Sequence, residues 1–87
     1  MISGKTTTGF EFEIEDDVMD DYELLEILTK VDSGDLTLVP KMVDLLLGNE
    51  QKARLKEHVR ATVGRVSTKA MMDEIALILS AKNELKN

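Results

Sequence analysis

Between residues 6 and 15 apolar and acidic positions alternate. Phe10, Phe12 and Ile14 are interleaved with Glu11, Glu13 and Glu15, and three threonines and Gly9 lead in. A period of two predicts a strand with one apolar and one acidic face. No later segment offers a second strand of similar quality. Residues 1–5 can fold back on it as a short hairpin with Gly4 or Gly9 at the bend. If they do not, the strand stays unpaired and is a template for adding to another protein's sheet.

From Asp16 the period becomes helical. Asp16 and Asp17 are N-cap candidates, and Asp20, Asp21 and Glu23 follow where carboxylates complement the helix dipole. Val18, Tyr22 and Leu25, together with Leu24, Leu28 and Val31, predict a helix buried on a wide face and ended by Ser33-Gly34. Thr37 can cap a second, short helix. Pro40 falls in its first turn, and Val39, Met42, Val43 and Leu46 form its stripe. Gly48 closes this helix and Asn49 caps a third, over residues 50–63. There Leu55, Val59 and Val63 make a narrow stripe among Lys52, Arg54, Lys56 and Arg60. Gly64-Arg65 breaks the pattern and Ser67 caps a last helix lined by Met71, Ile75, Ile78 and Leu79, with Met72 and Ala76 beside it. The polar tail Asn83–Asn87 is expected to fray. The predicted fold is mainly α. A strand or hairpin arm (1–15) precedes a compact bundle of about four helices (16–87), and together they form one domain.

Composition narrows the function classes. A chain of 87 residues has a modest core, which a partner or second copy can complete. Apolar content of 43% is too high for intrinsic disorder. The absence of cysteine excludes disulfides, thiolate metal sites and cysteine catalysis. No apolar run approaches the about 20 residues that span a bilayer, and the start of the chain lacks a secretory pattern. A soluble, intracellular protein is expected, with no membrane partner.

The net charge of -6 conceals a split. Residues 1–50 carry 13 acids and 3 bases, whereas residues 51–87 carry 4 acids and 8 bases. Nine of the carboxylates lie between Glu11 and Glu26 with no base among them. Their simplest role is a solvated acidic face. Two oppositely charged halves also suit head-to-tail contact between copies, with Asp16, Asp17, Asp20 and Asp21 meeting Lys52, Arg54, Lys56 and Arg60.

Catalytic and cofactor motifs are not found. Gly4-Lys5-Thr6 lacks the upstream glycine of a phosphate-binding loop, and Asp32-Ser33-Gly34-Asp35 lacks the closing glutamate of a calcium loop. His58 is the single histidine, without a companion at metal-ligand spacing, and reads as a surface or boundary residue. No nucleophile motif surrounds any serine. No enzyme activity, metal or cofactor is expected. A DNA-binding regulator using the basic third helix, and an acidic inhibitor imitating DNA, are the rival readings. The acidic field and the scarcity of aromatic residues disfavour nucleic acid. Protein binding is favoured by the apolar strand residues Phe10, Phe12 and Ile14 and by an excess of apolar helix positions: Met42, Leu46, Leu55, Val59, Met71, Met72 and Ile75. Methionines suit surfaces that meet varied apolar segments, although core filling accounts for each taken singly.

Four segments carry a family resemblance. Thr8-Gly9-Phe10-Glu11-Phe12-Glu13-Ile14 followed by Asp20-Asp21-Tyr22-Glu23-Leu24-Leu25 resembles the start of tail assembly chaperones from long-tailed bacteriophages and prophages of Gram-positive bacteria. Leu45-Leu46-Leu47-Gly48-Asn49-Glu50-Gln51 and Gly64-Arg65-Val66-Ser67 resemble that family's middle and later segments. The resemblance implies a protein that binds the long, helical tape-measure protein, keeps it soluble and recruits tail-tube subunits. It implies action in the host cytoplasm and absence from the mature virion. The family commonly makes a longer form by ribosomal frameshifting, and the resemblance implies that this chain would correspond to the short one. The family has no fixed catalytic residues, so none is carried over. Apolar helix faces are expected to build the core in part and cover the client in part.

Overall fold

The computed structural model describes residues 1–86, and side chains through Lys82. Its N-terminal alternation forms a hairpin: β1 (Ile2–Lys5) pairs antiparallel with β2 (Glu11–Ile14), with Ile2 opposite Ile14 and Lys5 opposite Glu11. Gly9, at φ +99°, sits in the bend, where the lack of Cβ removes the steric penalty. Gly4, the other candidate for the bend, lies inside β1 opposite Phe12. The acidic and apolar faces separate as the period of two requires. Phe10, Phe12 and Ile14 are buried, and Glu11 and Glu13 are exposed.

The hairpin register also decides what happens at its edge. Thr6 N–H donates to Phe10 C=O at 2.9 Å, which makes Thr6/Phe10, Gly4/Phe12 and Ile2/Ile14 the hydrogen-bonded pairs. The main-chain groups of Glu11 and Glu13 therefore face away from β1. Gln51 meets them with its carboxamide: Glu13 N–H donates to Oε1 at 2.7 Å, and Nε2 donates to Glu13 C=O at 2.6 Å. The side chain completes the ladder as a neighbouring peptide unit would, and Arg54 lies over the Glu11 carbonyl beside it. The strand is thus neither unpaired nor open on its β2 side.

A 3-10 turn (Val18–Asp20) intervenes before the first helix, α1 (Tyr22–Asp32). The cap is Asp21, whose carboxylate accepts from Glu23 N–H and Leu24 N–H. Asp16 and Asp17 do not cap the helix. Starting α1 at Tyr22 turns Leu24, Ile27 and Val31 inward and leaves Tyr22 and Leu25 outside, contrary to the wide buried face expected of them. Ser33 and Gly34 end the helix.

A second 3-10 turn (Leu36–Leu38), capped by Asp35, leads into α2 (Val39–Val63), with Pro40 in its first turn. The break expected at Gly48 is present, and the helical arms on either side of it adjoin directly, so that 39–63 runs as one bent segment. Gly48 takes φ 81°, ψ 167°, outside helical space, yet no turn separates the two arms. Counted as continuous segments the bundle has three helices, the second bent at Gly48, where about four were expected. Lys52 Nζ lies 2.6 Å from Asp44 Oδ1, tying one arm to the other across the kink. Gly64 follows α2, and Ser67 caps α3 (Thr68–Lys86) by accepting from Ala70 N–H at 3.3 Å. The helix continues through residues 83–86, where fraying was expected; Asn87 lies outside the described residues. β2 lies against α2 and β1 against α3, and α2 packs between α1 and α3. The core runs from Phe12 through Leu24, Val43, Leu55 and Val59 to Ile78.

Candidate protein-binding surfaces

Of the apolar residues considered for client contact, Phe10, Phe12, Ile14, Met42, Leu46, Leu55, Val59, Met71 and Ile75 are all buried, Leu55 completely. They form the core; among them Met71 also lies on the floor of the groove beside Lys52 and Lys56. Met72 alone is half-buried. The hairpin contributes to this, with β1 against α3 and β2 against α2, as does the packing of α1 and α3 on α2.

The charged residues divide too. All nine carboxylates from Glu11 to Glu26 are exposed. Asp16 pairs with the Met1 amine at 2.8 Å, and that pairing raises the amine above its ordinary pKa; Asp21 is engaged as a cap. The four bases of α2 that follow Gly48 do not make one stripe. Arg54 faces the hairpin, 5.6 Å above the Phe10 ring, and Arg60 pairs with Glu57 one turn earlier. Lys52 and Lys56 lie on the opposite flank of Leu55. There they line an apolar groove of about 250 Å³ with Leu36, Val39, Pro40, Val43, Val66 and Met71. Val39, Val43 and Met71 are its buried floor, while Leu36, Pro40 and Lys56 are exposed. That volume lies below the about 300–1,000 Å³ typical of small-molecule sites. It suits one or two side chains of a docking helix, with two cations to meet acids on it.

A second apolar surface lies on α1. Tyr22 is 72% exposed and Leu25 48%, with Met19 just before them. Tyr22, Leu25, Glu26 and Thr29 share one helical face. Sequence reasoning missed this surface because the apolar series on α1 is too broad to show which members point inward. The signal that could have found it is Asp21, whose capping sets the rotation of the helix.

One polar cluster also escaped the sequence reading. Glu74 is only 5% exposed; it accepts from the Thr6 hydroxyl at 3.0 Å and from the Thr8 hydroxyl at 2.8 Å. Phe10 N–H donates to Thr6 Oγ1, and His58 Nε2 lies 3.0 Å from Thr8 Oγ1. Both hydroxyl protons are committed to Glu74, so His58 must donate through Nε2 to Thr8. The polarity of the chain, from His58 to Thr8 to Glu74, gives the imidazole no proton to accept from the threonine. The cluster ties the hairpin bend to α2 and α3. Phe10 packs against the same imidazole at 5.6 Å between ring centres. His58 is a boundary residue, as expected, but one with a structural partner. Lys82, 3% exposed, is a further buried charge on α3.

Among the described residues no group of acidic or histidine side chains is arranged to hold a metal ion. Nor is any helix there long and apolar enough to cross a membrane. Comparison with family models, curated proteins and solved structures gives no match for this chain.

Proposed function

We propose that this chain is a binding module that holds a helical segment of another protein, and that it serves as the short form of a phage tail assembly chaperone. The observation that carries the binding reading is the groove between the two arms of α2 and the start of α3. It joins an apolar floor to the cations Lys52 and Lys56. An amphipathic helix presenting apolar anchors one turn apart, flanked by acids, matches it in size and charge. The tape-measure identity of the client rests on the resemblance of the four sequence segments. Holding an apolar helical face keeps a long rod-shaped protein soluble until tube subunits, the second expected partner, replace the chaperone around it. Action in the host cytoplasm and absence from the mature virion belong to the same proposal.

The groove takes over the client role first assigned to the core stripes. Co-expression of the full chain with a tape-measure protein from the same genome tests it. The soluble fraction of the client should rise, and Leu36→Asp, which puts a carboxylate on the exposed rim, should abolish the rise while leaving the chaperone folded. No change in client solubility with the native chain overturns the proposal.

A further inference from the structure

The α1 face of Tyr22 and Leu25, with Met19 just before it, has no partner among the described residues, and its surroundings are acidic. Asp20, Asp21, Glu23 and Glu26 lie on or beside it, against Lys30 alone at the far end. The groove presents the inverse arrangement, an apolar floor with Lys52 and Lys56. Lys52 already has Asp44 as a neighbour, whereas Lys56 has no ion-pair partner among the described residues. We infer that the Tyr22–Leu25 face of one copy seats in the Lys52–Lys56 groove of another, so that the free protein occupies its own client site.

Shape and charge argue together. Tyr22 and Leu25 are three residues apart and project from one side of α1, the spacing with which a helix places two anchors in a groove. The groove, at about 250 Å³, holds side chains rather than a whole ligand. Glu26, on the same face as Tyr22, is the acid best placed to meet Lys56, and pairing there gives the lysine a counter-ion. The contact is heterologous, a face on one copy and a groove on the next, so it leaves a free face at one end and a free groove at the other. It is also self-limiting in function. A client helix that binds the groove displaces the neighbouring copy, so self-association stores the chaperone and client binding disperses it. The inference rests on the reading of the groove as the client site and adds the occupant that competes for it.

Sedimentation velocity of the full chain, at low and high salt over a wide concentration range, is the test. The native protein should associate at low salt and dissociate as screening rises. Tyr22→Ser combined with Leu25→Ser should abolish association with unchanged helix content. Glu26→Lys and Lys56→Glu should each weaken self-association by about tenfold or more, because each sets like charges against one another. Mixing the two variants should restore it, since every contact between unlike copies then pairs opposite charges. A native chain that stays monomeric at low salt, or variants whose mixture fails to associate, overturns the inference. A monomeric chain that still solubilises the client removes self-docking and leaves the chaperone reading intact. An associating chain that does not solubilise it removes the chaperone reading and leaves self-docking intact.

Discussion

Replacing Glu74 with glutamine exchanges one carboxylate oxygen for an amide nitrogen in a site that serves two hydroxyls. In the native protein Thr6 donates to Glu74 Oε1 at 3.0 Å, and the Thr8 hydroxyl lies between both oxygens, 2.9 Å from Oε1 and 2.8 Å from Oε2. Glutamine keeps one acceptor. Thr6 is buried and lies 3.0 Å from Thr8 Oγ1 as well as from the Glu74 oxygen; with Thr6 on the glutamine oxygen, Thr8 faces the NH2 group at the shorter of its two contacts and turns over to accept from it. Hydrogen bonds to a charged group contribute about 1.5–3 kcal/mol each, and here one is lost and the other becomes neutral. The net cost of Glu74→Gln is therefore about 1.5–3 kcal/mol, which lowers Tm by on the order of 10 °C in a domain of this size. The reversal leaves a second signature. Thr8, now accepting from the amide, donates to His58 Nε2, and the imidazole proton moves to Nδ1. Imidazole nitrogen chemical shifts report the tautomer, and thermal or urea unfolding reports the cost. A variant as stable as the native chain, with its proton still on Nε2, would refute the proton count and the role of the cluster as a tie.

Further outcomes follow from other contacts. Gln51→Leu removes the side chain that completes the β2 ladder; it should cost about 1 kcal/mol and accelerate hydrogen exchange at the Glu13 amide, leaving Phe12 largely protected. Gly48→Ala should destabilise by about 1–3 kcal/mol in urea unfolding, although a Cβ there meets no atom within 4 Å, because the cost lies in the backbone conformation. Leu55→Ala, at a fully buried position, should cost about 2–5 kcal/mol, whereas Tyr22→Ser should stay within about 0.5 kcal/mol of native stability. Reversal of that order in equilibrium unfolding would contradict the assignment of Leu55 to the core and Tyr22 to a docking face.

The strand and the helix ends were legible because each has a local cause. Alternation of Phe and Glu fixes the faces of β2; Pro40 and Ser67 mark helix starts, and Gly64 a helix end, by their own backbone or side-chain chemistry. What stayed hidden depends on contacts between segments far apart in the chain. The pairing of Ile2 with Ile14 has no strong signal in residues 1–5, where Gly4 and Lys5 have low strand preference. Gly48 was legible as a break, but whether a break separates two helices or bends one is decided by what the two arms pack against. The burial of Glu74 could not be read from α3, where it looks like one more acid near a helix start. Its partners are hydroxyls 66 and 68 residues away. The burial of the apolar residues considered for client contact stayed hidden for the same reason, since it depends on how the hairpin and the helices pack together.

The kink at Gly48 bears on recognition as well as packing. Val39, Pro40 and Val43 belong to the arm before it, and Lys52 and Lys56 to the arm after it. A cleft whose walls are the two limbs of one bent rod has an aperture set by the bend, and here Gly48, the Asp44–Lys52 strut and the Gln51 amide on the Leu47 carbonyl span it. Selectivity for thick or slender helices can thus be retuned from a position that never touches the guest.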